Sequence, residues 1–144
     1  MSGALYNSEI LRLATAIPHQ QRLSEPQASI EKRSPVCGSR VTVDVVMGAD
    51  GRVLALGQEV RACALGQASA ALMAGHAVGR TAGELADARD ALAAFLAGER
   101  DDPGAWPGLM IFAPARPHTA RHASIRLAFE AVAEAAARAV AIAA

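Results

Sequence analysis

V-T-V-D-V-V-M, Val41 to Met47, runs into G-A-D-G, Gly48 to Gly51, and then into R-V-L-A-L-G-Q-E-V-R-A, Arg52 to Ala62. In the first segment Val41, Val43, Val45 and Met47 alternate with Thr42, Asp44 and Val46, a period of two that argues for a strand with one buried face. The Gly-Ala-Asp-Gly run supplies the turn. The second segment is a strand of similar length, with Leu54, Leu56, Val60 and Ala62 expected on one face. Together they predict an antiparallel hairpin, buried on one side and partly wet on the other.

Working outward from the hairpin, Ser29 to Arg33 fits a short edge strand ended by Pro35. A helix is expected over Ser8 to Ile17, capped by Asn7 or Ser8, with Glu9 in its first turn and Pro18 stopping it. Ile10, Leu13, Ala14 and Ile17 share its inner face. After the hairpin, Leu65 to Val78 is rich in Ala, Ser and Gly, and reads as a closely packed helix stopped by Gly79. Thr81 and Glu84 form a capping box that opens a helix running to Ala97, with Leu85, Ala88, Leu92 and Phe95 or Leu96 as its stripe. Glu99 to Pro117 is irregular and proline-rich, with Trp106, Leu109, Ile111 and Phe112 as its anchors. A last helix is expected from Thr119 to Ile142, with Ile125, Phe129, Val132, Ala136 and Val140 inward. The sum is an α+β fold: a small antiparallel sheet of about three strands, covered by helices on one side. The length of 144 residues suits one domain, residues 1–144.

Fourteen Lys and Arg balance fourteen Asp and Glu. A neutral chain with 3% aromatics offers neither the basic surface nor the stacking platforms that nucleic acid requires. No leader segment and no membrane span stand out, so a cytoplasmic protein is expected. In that reducing compartment its two cysteines are expected as thiols rather than a disulfide.

Those cysteines, Cys37 and Cys63, flank the hairpin. Cys37 sits in S-P-V-C-G-S-R, Ser34 to Arg40, on a Pro/Gly bend. Cys63 stands where the next helix begins, and helix N-termini favour thiolates. One strand out and one strand back should bring the two together. A thiolate pair can ligate metal or attack sulfur; two small packed side chains are the plainer alternative. His118 and His122, four apart at the start of the last helix, would complete a Cys₂His₂ set in number. Two solvated histidines are the alternative there, and His19 and His76 have no companions. No Ser–His–Asp arrangement and no placed acid–base pair is evident, so an enzyme in the usual sense is not expected.

The runs S-P-V-C-G-S-R-V-T-V-D-V and C-A-L-G-Q-A-S-A resemble the iron–sulfur cluster assembly scaffolds: the NifU amino-terminal domain, IscU and SufU. The resemblance spans about Leu5 to Ala135, and the spacing is most similar to SufU. It implies a SufE/NifU-like fold. In that family three cysteines and an aspartate hold a nascent iron–sulfur cluster or zinc, and a cysteine desulfurase delivers sulfur. Cys37 matches the first cysteine, Cys63 the second, and Ala68-Ser69 the Ala-Ser that follows it. Ser39 stands at the aspartate position and Ser124 at the third cysteine. A neutral serine is a poor ligand beside thiolate, imidazole and carboxylate. His122, two residues before Ser124, is the candidate replacement ligand, ahead of His118.

Three functions follow as expectations. The first is a scaffold that binds iron, zinc or a nascent cluster through Cys37 and Cys63. The second is a sulfur acceptor for a cysteine desulfurase, on Cys63 or Cys37, without stable metal. The third is a docking protein that has lost the chemistry.

Overall fold

The computed structural model describes residues 5–35 and 37–143. Met1 to Ala4, Val36 of the Pro/Gly bend and Ala144 lie outside the described residues. The elements run α1 (Ser8–Ala14), β1 (Ala28–Arg33), β2 (Arg40–Met47), β3 (Val53–Arg61), α2 (Ala64–Ala77), α3 (Ala82–Leu96) and α4 (His122–Ala143). Two 3₁₀ turns, Leu109–Ala115 and Thr119–Arg121, lie between α3 and α4. The three strands form one antiparallel sheet in the order β1-β2-β3, and the fold is α+β.

The hairpin follows the valine alternation for most of its length. Val41 pairs with Val60, Val43 with Gln58 and Val45 with Leu56, and all three valines are fully buried. Near the turn the register slips, so that Met47 pairs with Val53 while Val46 pairs with Ala55. The extra residue, Leu54, turns outward and is 66% exposed, whereas Val53 takes the inner place. This corrects the expected inward Leu54: a bulge inverts the parity of every residue beyond it.

Helix α4 lies across β1 and β2, α2 packs on β3, α1 and α4, and α3 packs on α4. Helix α2 is buried nearly all round, which explains its composition. Gly66, Ala68, Ser69, Ala70, Ala71 and Ala74 let three neighbours approach its backbone closely. Ser69 Oγ donates to the Ile125 carbonyl of α4, fixing the opening turns of both helices to each other. Helix α4 begins at His122 rather than Thr119, because Thr119–Arg121 forms a 3₁₀ turn, and Val140 is 41% exposed, so the inner stripe ends at Ala139. The first helix stops at Ala14, with Thr15 as its C-cap, rather than reaching Ile17.

The sheet's outer face is partly covered at its centre by residues 19–23. The backbone of Gln21 and Leu23 passes directly over Gly57, where a Cβ would collide with it. Beside Gly57, its pairing partner Asp44 accepts hydrogen bonds from Arg22 Nε and Nη2, the Leu23 N–H and Ser29 Oγ. The irregular stretch after α3 wraps the other side of the body. Trp106 donates from Nε1 to the Leu72 carbonyl and packs edge-on against Phe129, while Leu109 and Phe112 are fully buried.

Candidate functional site

The site lies at the open end of the hairpin, where Arg40 pairs with Arg61. The chain enters β2 through a turn over Ser34 to Ser39. It is closed by the Ser34 N–H on the Ser39 carbonyl at 2.9 Å and the Gly38 N–H on the Ser34 carbonyl at 3.1 Å. Gly38 has φ +74°, a left-handed conformation that glycine adopts without strain. Cys37 is presented on this turn and is exposed. On the other strand the chain leaves β3 and enters α2 through Cys63, which occupies the N-cap position in extended conformation. Cys63 is half-buried and packs against the core.

Two serine hydroxyls join the thiols. Cys37 Sγ lies 3.0 Å from Ser39 Oγ, Ser39 Oγ lies 3.2 Å from Ser124 Oγ, and Ser124 Oγ lies 3.2 Å from Cys63 Sγ. Each contact is a hydrogen bond in which either atom can donate. Ser39 and Ser124 are buried, so the two oxygens form the floor between an outer and an inner sulfur. The exposed thiol is electrostatically prepared. Hydrogen bonding by Ser34, then Ser39 and Ser124, favours the thiolate and lowers the Cys37 pKa from 9.0 to about 7, against a smaller opposing effect of burial.

Ser34, absent from the sequence expectations, is buried, and its Oγ accepts from the Cys37 N–H. Its position directly before a Pro-x-Cys-Gly bend was the available signal, since serine hydroxyls close such turns on the backbone. Gly66 also went unremarked. A Cβ there would stand 2.7 Å from both Ala62 Cβ and Ser124 Oγ, so the glycine is what admits α4 to the site.

The histidines are placed elsewhere. His122 is the first residue of α4, and its Nε2 lies 2.9 Å from the Ala115 carbonyl and 3.0 Å from that of Arg116. That ties Nε2 to the end of the Leu109–Ala115 turn rather than to either thiol. His118 precedes the Thr119–Arg121 turn, outside α4, so the two imidazoles do not share an α-helical face. Among the described residues no group of three or more His, Cys, Asp or Glu side chains is placed to hold a metal ion. The donor set is therefore two thiols and two neutral hydroxyls. It does not fit four-coordinate zinc, or an iron–sulfur cluster held by this chain alone. No helix among the described residues is long and apolar enough to cross a membrane.

No family model matches the chain, and no curated protein matches it. Solved structures do. The chain is similar to the amino-terminal part of a nitrogen-fixing NifU-like protein from Brucella abortus, with 40% identity and a TM-score of 0.91 over 97% of each chain. It also resembles an iron–sulfur cluster assembly scaffold assigned to the SUF system of Fervidobacterium islandicum AW-1. There the TM-score is 0.85 at 18% identity, covering 94% of this chain and 99% of that one. A hypothetical protein gives 0.81 at 19% identity, covering 92% and 97%. The last two likenesses speak for the fold. The first, near-complete at 40% identity, settles kinship: the chain belongs to the NifU/IscU/SufU-like family.

Proposed function

We propose that this chain works in iron–sulfur cluster assembly as a scaffold-type carrier whose thiols receive sulfur from a cysteine desulfurase. One observation carries the reading: an exposed, acidified Cys37 is hydrogen-bonded through Ser39 and Ser124 to Cys63, with no carboxylate or imidazole ligand among them. Such a group suits sulfur chemistry better than metal storage. Two free thiols also suit a reducing compartment, and we place this chemistry in the cytoplasm.

The chemistry is thiolate exchange. A desulfurase carries sulfane sulfur as a cysteine persulfide. The Cys37 thiolate attacks its outer sulfur, forming the new S–S bond while the donor's S–S bond breaks. The electron pair of that bond leaves with the donor as a thiolate. No oxidant or reductant is consumed. Hydrogen bonding by Ser34, Ser39 and Ser124 favours the ionised form of the attacking sulfur. Iron or a cluster, as cargo, would meet Cys37 and Cys63 here and would need its remaining ligands from a partner or a second copy.

The test is anaerobic incubation with a cysteine desulfurase and cysteine, followed by intact-mass measurement and assay of iron, zinc and sulfide. The expected result is a gain of sulfur that disappears in Cys37→Ser, without stoichiometric metal. No gain of sulfur in the wild type, a gain that persists in Cys37→Ser, or stoichiometric metal that survives Cys37→Ser would overturn the proposal.

A further inference from the structure

We infer that the site is a two-station sulfur relay, in which Cys37 receives sulfur and Cys63 holds it, with Ser39 and Ser124 carrying a proton the opposite way. The inference rests on the sulfur-accepting reading above and adds direction and a path to it.

The two thiols are not equivalent. Cys37 is exposed on a turn, whereas Cys63 is half-buried at the mouth of α2. A donor protein can reach the first and is screened from the second. Yet two oxygen atoms are all that separates the sulfurs along the hydrogen-bonded path. Sulfane sulfur on Cys37 extends the side chain by about 2 Å, the length of an S–S bond. That extension lengthens the reach of Cys37, and the two cysteines enter the site from paired strand ends, at Arg40 and Arg61.

The transfer balances. Cys63 sulfur attacks the outer sulfur of the Cys37 persulfide, the S–S bond on Cys37 breaks, and a new one forms on Cys63. The Cys63 proton passes to Ser124 Oγ as that hydroxyl passes its own to Ser39 Oγ. Ser39 in turn protonates the departing Cys37 sulfur. One persulfide and one thiol become one thiol and one persulfide, with no net charge left in the half-buried site. Ser39 Oγ is within hydrogen-bond reach of that sulfur, at 3.0 Å. The outer station is then free to accept again.

The experiment locates the sulfur by peptide mass mapping after alkylation, over a time course under anaerobic conditions. Sulfur is supplied either by a cysteine desulfurase with cysteine or by inorganic polysulfide. In the wild-type chain the extra sulfur is expected first on the Cys37 peptide and later on the Cys63 peptide. In Cys63→Ser it should stay on Cys37, and in Cys37→Ser the desulfurase should leave Cys63 unloaded. Ser124→Ala breaks the proton path, and the ratio of Cys63-bound to Cys37-bound sulfur at matched times should fall about a hundredfold. That ratio is internal to each sample and does not depend on total loading. Three results would overturn the relay: sulfur that remains on Cys37 in the wild type, direct loading of Cys63 by the desulfurase in Cys37→Ser, or a Cys37–Cys63 disulfide with release of sulfide. Ordered transfer with polysulfide alone, and no loading by the desulfurase, would support the relay while sinking the desulfurase partnership.

Discussion

Ser39 Oγ lies 3.2 Å from Ser124 Oγ, although the two residues are 85 apart in sequence. One closes the turn that enters β2 and the other sits in the first turn of α4. Both are buried, and each also touches a thiol. Four side chains from three parts of the chain thus meet in one hydrogen-bonded run, but two are neutral hydroxyls. Ser39→Asp combined with Ser124→Cys converts the set to three thiolates and a carboxylate. That variant is expected to retain about one zinc per chain through gel filtration, as four-ligand sites do. The wild type should retain far less. Metal analysis decides, and a metal-free double variant would mean that the four positions do not converge as ligands.

The Cys37 thiol should titrate at about 7, where an ordinary thiol is still protonated. Its alkylation by iodoacetamide is therefore expected to rise through a midpoint near that pH. Ser34 is the largest contributor to the shift. Removing its hydroxyl in Ser34→Ala withdraws stabilisation from the thiolate, so the midpoint must move upward. Rates measured in Cys63→Ser, which leaves one thiol, would read it directly. An unchanged midpoint in Ser34→Ala would count against the turn as the source of the acidity.

Two glycines in α2 make opposite predictions. Glycine inside a helix costs up to about 1 kcal/mol relative to alanine. A Cβ at exposed Gly75 would meet nothing within 4 Å, so Gly75→Ala should raise the melting temperature. At Gly66 the same methyl would crowd Ala62 Cβ and Ser124 Oγ at 2.7 Å each. Gly66→Ala is expected to cost about 1–3 kcal/mol through overpacking, despite the better helix propensity. Thermal melts of both variants measure the difference in sign.

Much of this arrangement was legible in the sequence, and its failures have physical causes. Alternation of valines gave the hairpin, and the hairpin brought the two cysteines to one end of the sheet. The capping box at Thr81 and Glu84 forms with both reciprocal hydrogen bonds. Leu54 was misplaced because a bulge leaves no mark in an apolar alternation. His122 was illegible for a different reason. Its spacing from Ser124 is compatible with the site, but the carbonyls of Ala115 and Arg116 lie at the end of an irregular segment whose path no periodicity encodes. The cover over the sheet's outer face was equally silent, since a connection such as residues 19–23 carries no repeat at all.

That cover supplies a stability prediction, because its central group is a carboxylate with no solvent exposure. Burial alone would raise the Asp44 pKa. Hydrogen bonds from Arg22, Ser29 and the Leu23 N–H outweigh it and hold Asp44 below the usual carboxylate range. A group whose pKa is depressed by folding stabilises the fold above its unfolded pKa. It loses that contribution as pH falls through the folded value. The native chain should therefore weaken on acidification below the ordinary aspartate range near 4. Asp44→Asn removes the charge while nearly keeping the shape, and turns one acceptor into a donor facing other donors. It is expected to cost about 3 kcal/mol at neutral pH, as loss of one partner in a buried ion pair does. The exposure of Arg22, near half, places the true value at or below that figure. The gap between wild type and variant should narrow as the pH is lowered, since protonation removes the same charge from the wild type. Urea melts at neutral pH and at a series of pH values below about 4 measure both quantities; a gap that stays constant down the series would show that Asp44 does not carry the acid sensitivity.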